Sequence, residues 1–97
     1  MAEIAPDMRE SADITLKFPI EVDGEKITVL TMRRAKVRDK LKAKNTKGDD
    51  MDKGLALMAN LIERPVEVLH ELDDLDLEQL QEQYMAFTGR TPEMDAN

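Results

Sequence analysis

Ile14-Thr15-Leu16-Lys17-Phe18-Pro19-Ile20-Glu21-Val22-Asp23-Gly24-Glu25-Lys26-Ile27-Thr28-Val29-Leu30-Thr31-Met32 is the stretch that decides the fold. Its first half alternates: Ile14, Leu16, Phe18, Ile20 and Val22 fall between Thr15, Lys17, Pro19 and Glu21. A period of two is that of a half-buried strand. Asp23-Gly24 then supplies the two left-handed residues of a tight hairpin turn, and Lys26 to Met32, rich in β-branched residues, reads as the returning strand. A two-residue turn fixes a register. Val22 should face Glu25, Ile20 face Ile27, Phe18 face Val29 and Leu16 face Thr31, all on the apolar side. Glu21 with Lys26, Pro19 with Thr28, Lys17 with Leu30 and Thr15 with Met32 should pair on the other. The opposite charges of Glu21 and Lys26 favour this register over a one-residue slip, which would invert every side chain. Two strands alone are marginal in water, so the Phe18 face needs a cover.

The C-terminal two thirds of the chain supply that cover. Residues 35–44 read as a first helix, in which Val37 and Leu41 lie four apart with Ala35 nearby and the remainder is almost all basic. Asn45-Thr46-Lys47-Gly48 breaks it. Asp49 or Asp50 should cap a second helix over about 51–63, with Leu55, Met58, Leu61 and Ile62 as its apolar stripe. Pro65 opens a short third helix over 65–71, with Val66, Leu69 and Leu72 as buried candidates. For the last helix Asp76 is the expected cap, Gln79 the residue that reaches back to it, and Leu75 and Leu80 a hydrophobic staple. Leu77, Leu80, Tyr84 and Phe87 continue its buried face until Gly89 stops it. The expectation is an α+β fold: an N-terminal β-hairpin followed by three to four short helices. It divides into a mobile N-terminal arm at 1–12, one domain at 13–89 and a frayed tail at 90–97.

Composition narrows the chemistry. The chain has 97 residues, no cysteine, one histidine (His70) and one serine (Ser11). One domain of this size has a thin core, and no disulfide can reinforce it. Nucleophilic catalysis lacks its parts, so no catalytic residue is assigned and an enzyme is not expected. A zinc site lacks ligands. The runs Asp49-Asp50-Met51-Asp52 and Asp73-Asp74-Leu75-Asp76 lack the glycine and the ligand spacing of a calcium loop, and capping explains them better. The glycines do not form a phosphate-binding loop. No cofactor or metal is expected. The longest apolar run, Leu55 to Ala59, is far below the roughly 20 residues of a membrane span, and no signal-peptide core precedes it. The expectation is a soluble cytoplasmic protein.

The net charge of −7 is unevenly spread. Residues 31–48 hold eight basic groups, Arg33, Arg34, Lys36, Arg38, Lys40, Lys42, Lys44 and Lys47, against Asp39 alone, while residues 49–97 hold thirteen acids against three bases. The basic run admits three readings: a phosphate-binding segment, a solvated face that pairs with the chain's own acidic half, or a docking site for an acidic partner or a neighbouring subunit. With three aromatics in the whole chain, base stacking has no platform, so nucleic acid is the disfavoured partner. Leu30 and Met32 are the second oddity. The turn-defined register puts them opposite the Phe18 face, where exposed apolar side chains would mark a partner surface. Leu30, Met32, Arg33, Arg34, Lys36 and Arg38 are therefore the candidate partner-binding residues.

Three segments carry a resemblance. Ile14 to Ile20 with the Asp-Gly turn and its return strand, the junction Met32-Arg33-Arg34-Ala35-Lys36-Val37-Arg38-Asp39, and Leu69 to Phe87 with Leu72-Asp73-Asp74-Leu75-Asp76 followed by Leu80, Tyr84 and Phe87 are similar, in this order, to the Mu-like tail assembly chaperones of contractile-tailed phages and prophages. The resemblance spans about residues 13–88. It implies an assembly factor that binds the long helical tape measure protein, keeps it soluble until tail tube subunits polymerise around it, and is absent from the finished virion. The tail tube protein and a second copy of the chain are further partners it leaves open. The family is often made in a short and a frameshift-extended form. The alternative from the residues alone is a small nucleic-acid-binding regulator using the basic segment 33–47.

Overall fold

The hairpin closes where the sequence says it should. Asp23 and Gly24 both take positive φ, 51° and 82°, and Ile20, Glu21 and Val22 pair with Ile27, Lys26 and Glu25. The computed structural model describes residues 6–89. It runs β1 (Ser11–Val22), β2 (Glu25–Arg33), α1 (Val37–Lys44), α2 (Asp50–Ile62), α3 (Val66–His70) and α4 (Asp74–Thr88). The fold is thus α+β, a two-stranded antiparallel hairpin followed by four helices.

Beyond Ile20 the register departs from the expected one. Thr15 pairs with Val29, Ile14 with Leu30, Asp13 with Thr31 and Ala12 with Met32. Four residues of β1, Leu16 to Pro19, stand against Thr28 alone. The irregularity has an identifiable support. Pro19 has no N–H to give a ladder, and the Lys17 and Phe18 N–H groups donate to the Asp76 carboxylate of α4 at 2.8 and 3.0 Å. Those two donors leave the sheet without being left unpaired.

The slip reverses the far half of the ribbon. Leu30 and Met32, expected on the open face, are 1% and 0% exposed, whereas Phe18 is 51% exposed. Ala12, Ile14, Leu16, Ile27, Leu30 and Met32 form the inner face and meet Met58, Leu61, Ile62, Leu69, Leu80 and Phe87 from the helices. Burial of such side chains at roughly 25 cal/mol per Å² is the main stabilising contribution.

The helices start and stop for local reasons. Asp49 caps α2, accepting from the Asp52 N–H, and Asp52 accepts from the Asp49 N–H. Pro65 takes the capping position of α3. In α4 the cap is Asp73, which accepts from the Leu75 N–H, not Asp76 as the sequence suggested. The helix begins one turn early because Asp76 is needed at the hairpin, where it is fully buried. Gln79 follows it there, donating to Asp76 at 2.8 Å and to the Thr15 carbonyl at 3.1 Å. Leu75, the expected staple, is half exposed. Gly89 ends α4 with φ 78°.

Strand β1 starts at Ser11 and Ala12 is buried, so the sheet reaches into the segment expected as an arm. Ahead of it the Asp7 N–H donates to the Ala86 carbonyl at 2.7 Å and Gln83 donates to the Asp7 carboxylate at 3.1 Å, which lays residues 6–10 along the end of α4. The remainder of the expected arm, 1–5, and the expected tail, 90–97, lie outside the described residues.

Burial by itself would raise the Asp76 carboxyl. The N–H groups of Lys17 and Phe18, the Gln79 amide and the Lys17 charge outweigh it, and the group sits below the usual carboxylate range. Asp76→Ala should therefore cost about 2–4 kcal/mol by stranding two N–H donors. A depressed folded-state pKa means the contribution is present above the unfolded value near 4 and is lost as pH falls through the folded one. Acid titration by circular dichroism should show Asp76→Asn losing less stability than wild type between about pH 5 and pH 2. A second check bears on the core: Leu80→Ala, at a side chain with no exposure, should lower stability by about 2–4 kcal/mol in a denaturant titration. An unchanged midpoint would contradict this packing.

Candidate partner-binding surface

The junction from β2 into α1 carries the basic run, and the structure splits that run in two. Arg33 and Arg34 turn inward. The Arg33 guanidinium grips the Asp39 carboxylate in a two-pronged pair at 2.8 and 2.9 Å and also reaches Glu63 at 3.1 Å. Asp39 accepts the Lys36 N–H as well, at 2.8 Å, which closes the first turn of α1. The Arg33 fork, helped by that N–H against the cost of burial, holds the Asp39 carboxyl well below the usual carboxylate range. Arg34 donates to the Phe87 carbonyl at 2.9 Å and to the Asp7 carbonyl, with its guanidinium 5.2 Å from the Phe87 ring centroid. It ties the end of β2 to the end of α4 and to the segment before β1.

The rest of the run turns outward. Lys36, Arg38, Lys40, Lys42, Lys44 and Lys47 are exposed, and none makes an ion pair among the described residues. The solvated-face reading, in which the basic run pairs with the chain's own acidic half, therefore describes Arg33 with Glu63 among the described residues but not the exposed cations of α1.

The orientation of α1 follows from the same ion pair. Asp39 points inward to meet Arg33, with Ala43 one turn on, and both are buried. The opposite face then points to water. Val37 is 74% and Leu41 56% exposed. The helix presents two apolar side chains four residues apart, flanked by cations, to solvent. An exposed apolar pair set among charges is the kind of surface on which an amphipathic helix can dock.

Of the six residues singled out from the sequence, Lys36 and Arg38 sit exposed at the start of this surface. Arg33 and Arg34 are engaged within the chain. Leu30 and Met32 are core, which corrects their placement on an open face; the cause is the register slip at Leu16 to Pro19. Val37 and Leu41 went unnoticed as surface residues because an apolar pair at helical spacing ordinarily marks the buried side. The one signal against that reading was Asp39, a lone acid among eight cations, which needs a partner and turns the helix to find it.

A second apolar feature lies between α2 and α4. Asp50, Met51, Gly54, Leu55, Met58, Gln81 and Tyr84 line a groove of about 270 Å³. Gly54 is exposed inside α2, and a Cβ there would meet nothing within 4 Å. A larger, polar hollow of about 420 Å³ lies between β1 and α4 beside Gln79, Glu82 and Gln83. Every buried side-chain nitrogen or oxygen among the described residues has a hydrogen-bond partner. No group of three His, Cys, Asp or Glu side chains among them is placed to hold a metal ion, and no helix among them is long and apolar enough to cross a membrane.

No curated protein and no solved structure matches the chain. Residues 13–89, most of its length, match the family described as phage tail assembly chaperone proteins, E, or 41 or 14. With all but the first two residues of the hairpin, the basic junction and the last helices inside that span, the chain belongs to the family of phage tail assembly chaperones.

Proposed function

We propose that this protein binds the tape measure protein in the host cytoplasm and keeps it soluble while the tail tube assembles, without catalysis and without entering the finished virion. The single observation that supports the reading best is the outward face of α1. Val37 and Leu41 stand exposed between Arg38, Lys40, Lys42 and Lys44, cations that have no ion-pair partner of their own among the described residues. Such a face suits a helix with an apolar stripe bordered by acids. Apolar contact supplies affinity, and the charges set orientation and speed the encounter. A holdase also needs to let go, and a two-residue apolar contact within one short helix favours fast release.

This reading moves the partner surface away from Leu30 and Met32 and keeps Lys36 and Arg38 at its edge. The exposed cations of α1 also suit phosphate, which is the second reading. Against it stand the net charge of −7 and the apolar pair at the centre of the basic face.

Co-expression with the tape measure protein of the same phage tests the proposal. Wild type should shift that protein into the soluble fraction. Leu41→Glu, at an exposed position, should fold with its thermal midpoint within a few degrees of wild type and lose the rescue, because a charge would be desolvated on docking. Rescue by folded Leu41→Glu would remove α1 from the interface, and no rescue by wild type would end the chaperone reading. Met32→Glu should instead fail to fold, since it buries a charge in the core. Submicromolar binding of wild type to mixed-sequence duplex at physiological salt would promote the phosphate reading.

A further inference from the structure

The groove between α2 and α4 is a second apolar surface, and its charge is the reverse of that of α1. Met51, Leu55, Leu57 and Tyr84 line it above buried Met58, with Met51 62% exposed and the other three part-buried. Methionine suits surfaces that accept helices of varied sequence, because its unbranched side chain re-packs at little cost. Gly54 stands exposed among these side chains. Glycine weakens the interior of a 13-residue helix. Here its φ is not positive, and no atom among the described residues lies within 4 Å of the place where a side chain would begin. Neither backbone conformation nor internal packing requires it. A bare position on a helix surface does permit another backbone to come close.

The rim sets the sign of charge that the groove accepts. Asp50 lines the α2 side. On α4, Glu78 lies one turn and Asp74 two turns before Gln81, on the same face by helical spacing, and both are exposed. None of the three carboxylates forms an ion pair among the described residues. The nearest cation in sequence, Lys53, donates to the Thr46 carbonyl at 2.5 Å instead. An acid-rimmed apolar groove repels phosphate and acid-bordered helices, and it attracts a basic border.

We infer that this groove docks an amphipathic helix of another protein, one whose apolar stripe carries a small residue against Gly54 and is bordered by lysine or arginine. Contact with Met51, Leu55 and Tyr84 seats the stripe. Asp50, Asp74 and Glu78 meet the basic border, orient the helix and reject one of the opposite charge. The α1 face and the groove thus select different helices, so one molecule holds two unlike segments at once. The groove shares no residue with α1, and the inference stands without the function proposed above.

Two synthetic helices of about four turns test it. Both carry leucine and alanine on one face; one is bordered by lysine, its twin by glutamate. Fluorescence anisotropy with the full chain reads the binding of each. The lysine helix should bind wild type about tenfold or more tighter than Gly54→Arg or Glu78→Lys, both changed at exposed positions, and should bind Leu41→Glu as it binds wild type. Its affinity should fall as salt rises. Gly54→Ala should raise the thermal midpoint, as alanine favours the helix, yet weaken binding about threefold or more by blocking close approach. Circular dichroism should show every variant folded. No binding of the lysine helix to wild type, equal binding to wild type and Gly54→Arg, or undiminished binding to Gly54→Ala would each overturn the inference. Binding to Leu41→Glu several-fold tighter than to wild type would put the α1 face of a second copy in the groove and would overturn it too. The glutamate twin separates this site from α1: it should lose Leu41→Glu and keep Gly54→Arg, and its failure to bind would count against the α1 reading alone.

Discussion

The Asp76 carboxylate accepts the backbone N–H groups of Lys17 and Phe18, and the arrangement of the hairpin depends on that pair of hydrogen bonds. A strand that places four residues against one has donors with no ladder partner, and leaving them dry would cost more than the bulge gains. By taking them, a residue fifty-nine positions away makes the slipped register stable. Everything beyond the bulge then rotates. Leu30 and Met32 turn into the core, and β2 delivers Arg33 to the point where it can hold Asp39. The contact also docks α4 on β1, so one side chain sets the sheet and fixes the last helix to it.

Charge takes over where apolar area is scarce. A domain this small has little core, and three guanidinium groups tie its parts together at the edges. Arg33 joins β2 to α1 and to the end of α2, Arg34 joins β2 to α4, and Arg64 reaches Glu25 at the hairpin turn. These ties differ in worth. Glu25 and Glu63 are largely exposed, so their pairs contribute little. Asp39 is buried and doubly gripped, and removing Arg33 would leave its charge buried and uncompensated. The basic run is therefore two things in succession: structural clamps at Arg33 and Arg34, then exposed cations from Lys36 onward.

Much of the architecture could be read from residue order. The Asp23-Gly24 turn, the α2 cap at Asp49, the proline entry to α3 and the Gly89 stop are local signals, and each stands where local chemistry puts it. What could not be read was set by contacts far apart in sequence. Alternation predicted an unbroken ribbon because nothing near Phe18 announces that Asp76 will claim its N–H. The apolar spacing of Val37 and Leu41 pointed inward, since periodicity says which residues share a face but not which way the face looks. Asp76 was read as a helix cap for the same reason. An acid at the start of a helix serves the helix unless another segment arrives to use it.

The Arg34 clamp has a consequence for how this domain can be joined to other polypeptide. A Cβ added at Gly89 would lie 3.4 Å from Pro6, and the Asp7 N–H is bonded to the Ala86 carbonyl. Entry and exit of the folded unit are thus adjacent, at one pole. The unit is a closed loop in all but covalent connection. It can be carried inside a longer chain as an insertion, or reopened elsewhere by circular permutation, with a linker of only a few residues.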